Sequence, residues 1–475
     1  MEQQTSSDGA ADWGGPREMS AWEGLMWRAE RDPRTRSTGI LLELLDREPD
    51  WERLVAAFER TTRRIPRLRE RVVEPPIPMV QPVWSPDPEF EIGNHIRRVP
   101  LGPAAEIRDL LAQCEVEWPT RLNRGRPPWE AILFCGLPGG RAALAFRAHH
   151  SLADGTGLVQ LLELAHEGNS DPNSNASRSR PTSTPLGMLV DATRSAVDAG
   201  RLFRMARGGV DRSLRRLADP RASVADATRY ALSLSRMLAV PAAKRSPLLA
   251  ERGDGARLAI LDVPLRDLKS AGAAAGGSVN DVFVAAVLGG VRRYHDRQGA
   301  SVDDVVVGMP VSLRNESDPL GGNRFAGIRF AGPAGELDPT KRIQAIRRQV
   351  STARNEPAIG FLDFLSPVLT RLPTRAIIEL SANLTTSSDI QISNIRGIDR
   401  PVRLAGAEVT GMYPLGPRPG VAAMIAMITY NGMCCLGLTF DPQVFVDPEA
   451  LRESMREGFT EVLHLASRNE GQGHT

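Results

Sequence analysis

The chain has 475 residues, more than a single hydrophobic core ordinarily holds, so its length predicts about two domains. With 41% hydrophobic and 24% charged residues it has the composition of a globular protein, and a net charge of +2 gives no electrostatic reason for a nucleic-acid partner. The four cysteines contain no CxxC pair, so the sequence predicts neither a zinc site nor a disulfide framework and fits a reducing cytoplasm. No apolar run reaches the roughly 18 residues that span a bilayer, and no signal pattern opens the chain. Membrane contact is therefore expected to be peripheral.

The first third of the chain is predicted to alternate between helices and strands. Residues 1–18, rich in Gly, Ser, Gln and acidic residues, are expected to form a disordered lead. Apolar residues at helical spacing predict helices over residues 51–63 and 106–118. A strand is predicted over residues 131–137, opened by Trp129, which is expected to pack beside the strand that follows.

A pair of adjacent histidines, His149 and His150, ends the next predicted strand. Alternation over residues 142–150 places His150 on the apolar face of this strand and His149 on the opposite face. Apolar residues at helical spacing after Asp154 predict that a helix begins there. A neutral imidazole at such a junction can accept a proton from a hydroxyl near neutral pH. The two histidines also lack a third nearby ligand at helical spacing, which argues against a metal hydrolase.

Each of these residues has a structural alternative. A single histidine at a strand end is usually a hydrogen-bonded structural residue, and the Asp154 carboxylate is a natural N-cap for the predicted helix. The complete unit HHSLADG, residues 149–155, combines both histidines with an Asp-Gly pair at fixed spacing. We therefore favour a catalytic site over the structural explanation.

A basic segment separates this unit from the second half of the chain. Residues 171–250 are expected to contain a linker followed by basic amphipathic helices. Residues 178–245 contain 14 Lys or Arg but only five Asp and no Glu. A basic amphipathic helix can lie in an anionic lipid interface, or it can be a solvated connection between domains. The sequence leaves both explanations open.

The second half again alternates strands and helices. Asn280 and Asp281 open a predicted helix for which Ser278 is a candidate N-cap. Strands are predicted over residues 305–309 and 389–394.

The end of the chain carries the strongest hairpin signal. Residues 421–430 and 433–441 alternate like paired strands around Asn431-Gly432, the sequence of a tight hairpin turn. A helix over residues 448–466 is expected to close the fold.

The unit at residues 149–155 resembles the HHxxxDG motif of the CoA-dependent acyltransferase superfamily, which contains chloramphenicol acetyltransferase, plant acyltransferases and the condensation domains of peptide synthetases. Within it, the chain most resembles the bacterial wax ester synthase/diacylglycerol acyltransferases. The resemblance covers about residues 19–466 and includes, in order, residues 19–39, Pro127-Pro128-Trp129-Glu130, Asn280-Asp281, residues 310–314, Gly322-Asn323-Arg324 and residues 393–397.

The resemblance implies an α/β fold of two chloramphenicol-acetyltransferase-like lobes, residues 19–170 and 251–470. Each lobe is expected to hold a mixed sheet flanked by helices, with an active-site tunnel at the interface. His150 is implied as the general base. The remaining implied residues are His149 and Gly155 in support of it, Asp154 in a structural and orienting role, Asn280 and Asp281 as support across the interface, and Ser312, Arg314, Ser393 and Asn394 in substrate binding or oxyanion stabilisation.

Three of these assignments have alternatives of their own. Capping of the predicted helix explains Asp281, structural support is favoured over proton transfer for Asn280, and a buried salt bridge is favoured over a CoA-phosphate contact for Arg314.

The implied reaction transfers a long-chain acyl group from acyl-CoA to diacylglycerol or to a long-chain alcohol, with acyl-CoA as co-substrate and with neither cofactor nor metal. A cytoplasmic protein with peripheral contact to the inner membrane face or to lipid bodies is expected. Two alternatives stay open: a condensation-type enzyme that takes acyl groups from a carrier protein, and a non-catalytic lipid-binding protein. The intact HHxxxDG unit argues against the second.

Overall fold

Two six-stranded sheets organise the protein in the computed structural model. The structure describes residues 13, 15–75, 80–102, 105–167, 233, 246–312, 323, 325–356 and 372–470. Most of the expected disordered lead, nearly all of the basic segment and Arg314 lie outside the described residues.

The described helices and strands follow one another along the chain as an α/β pattern. The strands are β1 (Thr38–Leu45), β2 (Glu70–Val73), β3 (Val83–Pro86), β4 (Ile96–Pro100), β5 (Trp129–Leu137), β6 (Arg141–His149), β7 (Arg257–Pro264), β8 (Val305–Ser312), β9 (Phe325–Gly332), β10 (Ile390–Ile398), β11 (Arg403–Leu404), β12 (Ala407–Leu415), β13 (Ala423–Tyr430) and β14 (Met433–Phe440). The helices are α1 (Ala21–Ala29), α2 (Trp51–Arg64), α3 (Ile107–Glu117), α4 (Gly155–Ala165), α5 (Leu265–Ala275), α6 (Val279–Arg297), α7 (Pro339–Arg354), α8 (Thr374–Thr386) and α9 (Pro448–Glu470).

Strand β6, which carries the histidine pair, lies inside the first sheet. The strand order is β11-β12-β1-β6-β5-β4, and β6 is hydrogen-bonded to antiparallel partners on both sides. Trp129 opens β5 as predicted, and its ring stacks on that of Phe146 in β6 with 5.7 Å between centroids. Pairing on both edges and aromatic packing on one face hold the end of β6 in a fixed position.

The second sheet has the order β7-β14-β13-β10-β8-β9 and is mixed, because β10 runs parallel to β13 and β8 while the outer pairs are antiparallel. Helix α6 is buried along most of its length and packs against α9. The predicted hairpin is confirmed: β13 and β14 meet at Asn431 and Gly432, whose φ angles of 44° and 79° lie in the left-handed region that a type I′ turn requires.

The sheets do not follow the expected division of the chain near residue 250. Strands β11 and β12, from the second half, complete the first sheet, where Leu415 of β12 pairs with Ile40 of β1. This pairing covers an edge of β1 that the first half alone would leave open. The Glu115 carboxylate of α3 also accepts a hydrogen bond from the Leu258 backbone N–H in β7 at 2.9 Å. The two halves are therefore interlocked through both sheets.

Among the described residues, no single helix has the length and apolar composition that crossing a bilayer requires. Helices α5 and α6 meet these criteria only as a pair, which is bent by 94° at the break between them.

Candidate active site

The HHxxxDG unit connects the end of β6 to the start of α4. The His150 backbone N–H donates to the Ser37 carbonyl at 2.8 Å, which continues the edge of β6 by one residue beyond His149. One oxygen of the Asp154 carboxylate accepts from the Gly157 backbone N–H at 2.9 Å. Asp154 is therefore the N-cap of α4, and the cap fixes the loop between His150 and the helix.

His150 contacts the second half of the chain through Asn323. Its Nδ1 lies 3.0 Å from Oδ1 of Asn323, and Nδ2 of Asn323 donates to the His150 carbonyl oxygen at 2.8 Å. Burial lowers the pKa of His150, while the charge of Asp154 and the contact with Asn323 oppose this shift. The imidazole is thus neutral at physiological pH, which is the form a general base requires.

His149 is held inside the first lobe. Its Nδ1 accepts from the Ser151 backbone N–H at 2.9 Å, so the proton of the neutral ring is on Nε2, which lies 2.6 Å from a Glu30 carboxylate oxygen. The ring packs edge-on against Trp27 with 5.1 Å between centroids. With 1% of its surface exposed, His149 is buried in these contacts, and its supporting role stays a prediction.

Glu30 is an acidic partner at the end of α1. Burial alone raises the pKa of its carboxyl, but His149 and a hydrogen bond from the Thr38 hydroxyl at 2.7 Å outweigh burial and lower it to about 2. A carboxylate therefore faces His149 throughout the physiological range, and the histidine pair is fixed from opposite sides: His149 by Glu30 and His150 by Asn323.

Gly155 lies at a close contact between the two lobes. A Cβ at this position would lie 2.6 Å from Cδ1 of Ile395 in β10, so a glycine lets the first turn of α4 approach the second sheet. The same strand carries Ser393, which is buried, and Asn394, which is exposed. Ser393 and Asn394, two of the predicted substrate-binding residues, thus belong to the strand that contacts α4.

Comparison with known proteins agrees with this geometry. The family model of the wax ester synthase/diacylglycerol acyltransferase catalytic domain matches residues 19–283, and that of the C-terminal domain matches residues 321–462. The chain belongs to the wax ester synthase/diacylglycerol acyltransferase family. This confirms the family resemblance given by the sequence motifs.

The relatives of this acyltransferase include mycobacterial proteins. It is 36% identical to a Mycobacterium tuberculosis protein provisionally named a diacylglycerol O-acyltransferase, over 94% of this chain and 92% of that one. Its fold resembles the wax ester synthase/diacylglycerol acyltransferase from Marinobacter aquaeolei VT8, with a TM-score of 0.61 and 20% identity over 95% of this chain and all of that one. It also resembles the first condensation domain of the CDA synthetase, with a TM-score of 0.59 and 18% identity over 95% and 97% of the two chains. The predicted two-lobe α/β fold is confirmed.

Two predicted residues of the acyltransferase, Asn280 and Asp281, lie at the start of α6. Asp281 and Ser278 form a capping box in which the Asp281 carboxylate accepts from the Ser278 backbone N–H at 2.8 Å. The amide nitrogen of Asn280 lies 3.7 Å from the sulfur of Met309 in β8. Capping thus accounts for Asp281, and the expected support of the site by both residues stays a prediction.

Of the two other predicted site residues, Ser312 and Arg314, the structure describes only the first. Ser312 ends β8, and Arg314 lies outside the described residues. Among the residues that the structure describes, no group of three or more His, Cys, Asp or Glu is arranged to hold a metal ion.

The acyltransferase site also contains residues to which the sequence assigned no role. In the sequence, Asn323 belongs only to a stretch that resembles the family, whereas Glu23 and Glu30 belong to the first helix and its C-cap. A Glu-containing helix near the N-terminus has an ordinary amphipathic pattern. No local signal connects these acids to a motif more than 100 residues later in the chain.

Proposed function

We propose that this protein transfers a long-chain acyl group from acyl-CoA to diacylglycerol, with His150 as the general base. Family membership supports acyl transfer, and the names of the mycobacterial relatives support diacylglycerol as the acceptor. The wax ester synthase in the name of the Marinobacter protein supports long-chain alcohols as a second acceptor class. The position of His150 between the lobes, with its Nδ1 at Asn323, is the observation that carries the proposal.

The proposed reaction needs one base and no covalent enzyme intermediate. Nε2 of His150 takes the proton of the acceptor hydroxyl while the hydroxyl oxygen attacks the thioester carbonyl carbon. The tetrahedral intermediate then collapses, the C–S bond breaks, and the imidazolium gives its proton to the departing CoA thiolate. The products are an ester and free CoA, and His150 returns to its neutral form.

The oxyanion of the tetrahedral intermediate needs a hydrogen-bond donor. We assign this role to the second lobe, where Ser312, Ser393 and Asn394 are the candidates. Strand β10 supports the last two, because it packs against α4 next to the histidine loop. Arg314 remains a candidate contact for the phosphates of CoA.

The test is product formation from a labelled long-chain acyl-CoA, with a diacylglycerol and a long-chain alcohol supplied side by side. We expect labelled triacylglycerol, with wax ester as the lesser product, and a loss of roughly a hundredfold or more in His150→Ala. His464→Ala, at an exposed histidine of α9, is the matched control and should keep full activity. Equal rates in wild type and His150→Ala would remove the general-base role. If product forms only when the acyl group is supplied on a carrier protein, the carrier protein and not acyl-CoA is the donor.

We also propose that the acyltransferase works in the cytoplasm in peripheral contact with the inner membrane face or with lipid bodies. The support comes from the sequence: residues 178–245 contain 14 Lys or Arg against five Asp, and apolar residues there recur at helical spacing with arginines on the remaining surface. The water-insoluble acceptor class also favours an enzyme that works at a lipid surface.

Co-sedimentation with vesicles tests this location. Vesicles with phosphatidylglycerol should bind the wild-type protein, and phosphatidylcholine vesicles should bind it weakly. Reversal of Arg201, Arg204 and Arg207 to Glu should abolish binding to the anionic vesicles. The same reversal at the exposed Arg47, Arg63 and Arg266 is the charge-matched control and should reduce binding much less. Unchanged binding after the first reversal would refute the role of the basic segment.

A further inference from the structure

We infer that Asn323 is a positioning residue that keeps the proton of neutral His150 on Nδ1 and its lone pair on Nε2, and that Glu23 holds the Asn323 amide in the orientation this requires. The inference rests on the acyl transfer proposed above and names the residues that prepare the base for it.

The orientation of the Asn323 amide follows from its partners. The two ends of a primary amide have nearly the same shape, so the hydrogen-bond network decides which end is the NH₂ group. One end of the Asn323 amide meets the His150 carbonyl oxygen at 2.8 Å. The Asn323 side chain is also hydrogen-bonded to the Glu23 carboxyl and lowers its pKa, as a donor to a carboxylate does. A backbone carbonyl and a carboxylate can each only accept a hydrogen bond. The NH₂ group must therefore be at this end, and the amide oxygen must face His150 Nδ1.

The amide oxygen in turn fixes the tautomer of His150. An oxygen of this kind has no proton to give, so Nδ1 must donate across the 3.0 Å that separates it from Oδ1 of Asn323. The carbonyl of His150 itself is a second acceptor near the ring. In a neutral imidazole with its proton on Nδ1, the lone pair is on Nε2. A flipped amide would instead set its oxygen against the His150 carbonyl and the Glu23 carboxyl.

Glu23 is itself held firmly in place. It is the third residue of α1, and its carboxyl accepts from the Ser20 backbone N–H at 2.9 Å in a capping box. Only 5% of the residue is exposed. Burial raises the pKa of the carboxyl, and the charge of Arg67 opposes this shift. In either protonation state a carboxyl oxygen remains to accept from the amide.

The three residues come from three distant parts of the chain. Glu23 belongs to the first helix, His150 follows β6, and Asn323 lies 173 residues after His150. The tautomer that the reaction needs is therefore set only when the first helix and the second half of the chain are both docked at the end of β6. Docking of the lobes therefore also selects the tautomer of His150.

The experiment combines a tautomer measurement without substrate with a pH profile of kcat/KM. Long-range ¹H–¹⁵N NMR of histidine-labelled protein distinguishes the two neutral tautomers, and His150→Ala identifies the signals of His150. The variants are Asn323→Leu, which removes the acceptor, and Asn323→Asp, which keeps it but adds a charge. The same two substitutions at Asn355, an exposed residue at the end of α7, are the matched controls.

We expect His150 to carry its proton on Nδ1 in the wild type and to populate both tautomers in Asn323→Leu, with kcat lowered by at least about tenfold. Asn323→Asp should keep the Nδ1 proton and move the acid limb of the pH profile upward by about one unit or more, because a carboxylate stabilises the imidazolium. Asp154 and His149, the other titratable groups that face His150, are unchanged in these variants. Glu23→Gln, which keeps the capping geometry, should weaken the tautomer preference in part.

Two results would overturn the inference: an unchanged tautomer in Asn323→Leu, or an unchanged acid limb in Asn323→Asp. If Asn323→Leu does not fold, Asn323→Asp and Glu23→Gln decide the question through the same readouts. Failure of the proposed acyl transfer has a different signature, namely no product from the wild type while the tautomer of His150 still depends on Asn323.

Discussion

Adjacent histidines in this protein have opposite surroundings, although the sequence presents them as one motif. His149 is buried against a carboxylate and an indole ring, whereas His150 is partly exposed between the lobes and faces an uncharged amide. A carboxylate partner stabilises the imidazolium form, and an amide does so much less. At the junction of the lobes, the Nδ1 of His150 therefore has an amide and not a carboxylate as its partner.

The direction of the His150 pKa predicts the pH dependence of the reaction. Burial places the pKa below the ordinary value of about 6.5, and a general base is active only when it is unprotonated. We expect kcat/KM to stay level from pH 8 down through about 6.5 and to fall tenfold per unit only below the lowered pKa. Initial rates in overlapping buffers check this. An acid limb centred above pH 6.5 would contradict it.

At the scale of single elements, the sequence predicts the helices, strands and turns that local patterns determine. The ends of β6, the helices α2 and α3 and the Asn431-Gly432 hairpin agree with the prediction within about a residue. Each follows from apolar periodicity or from the φ angles that a turn requires. The cap at Asp154 was likewise recognisable, because a capping residue acts on its own helix.

Contacts between distant segments have no such local signal. Nothing in the sequence of β12 reveals that it pairs with β1, since strands of many sequences can complete an open edge. The contact of Asn323 with His150 and that of Glu30 with His149 join residues separated by more than 100 positions. The base itself was predictable from the sequence, whereas the residues that orient it were not.

The cap of α4 gives a prediction at the scale of one helix. Asp154→Ala should lose about 1 kcal/mol of unfolding free energy, since the Gly157 N–H loses its acceptor, and should also lower activity because the loop carrying His150 loosens. Asp154→Asn keeps the cap, so stability should be largely retained. Removing the negative charge should also lower the pKa of His150 further.

Urea unfolding and the pH profile of kcat/KM separate these two effects of Asp154. For Asp154→Asn we expect unfolding by urea as in the wild type. We also expect the acid limb of its kcat/KM profile to move to lower pH. Full wild-type stability in Asp154→Ala would show that the cap does not hold the loop.

For the whole molecule, close contacts join the two sheets. Strand β12 approaches β14 so closely that a Cβ on Gly437 would overlap the carbonyl oxygen of Pro414. The Tyr413 hydroxyl donates to the Asp262 carboxylate at 2.9 Å, from β12 to β7. Burial, followed by the charge of Asp262, raises the pKa of Tyr413 well above its usual range, so the hydroxyl keeps the proton that this link needs.

Gly155 allows the fit between the lobes to be tested at the site itself. In Gly155→Ala the new Cβ would meet the end of the Ile395 side chain at 2.6 Å, so α4 must move away from β10 or Ile395 must change rotamer. Because the histidine loop leads directly into α4, a shift of the helix displaces His150 from Asn323. Misplacement of this size costs catalysis steeply, and we expect kcat to fall about tenfold or more.

A second substitution at Ile395 distinguishes a steric effect from a loss of stability. Ile395→Val removes the methyl group at Cδ1 that the added Cβ would meet, so the double variant should recover most of the wild-type kcat, while Ile395→Val alone changes little. Gly327→Ala, in β9 where a Cβ meets open space, is the control for the substitution itself. Full activity of Gly155→Ala, or no recovery in the double variant, would show that the spacing between α4 and β10 does not govern the position of His150. Recovery would show that the distance between the lobes is a catalytic parameter of this fold.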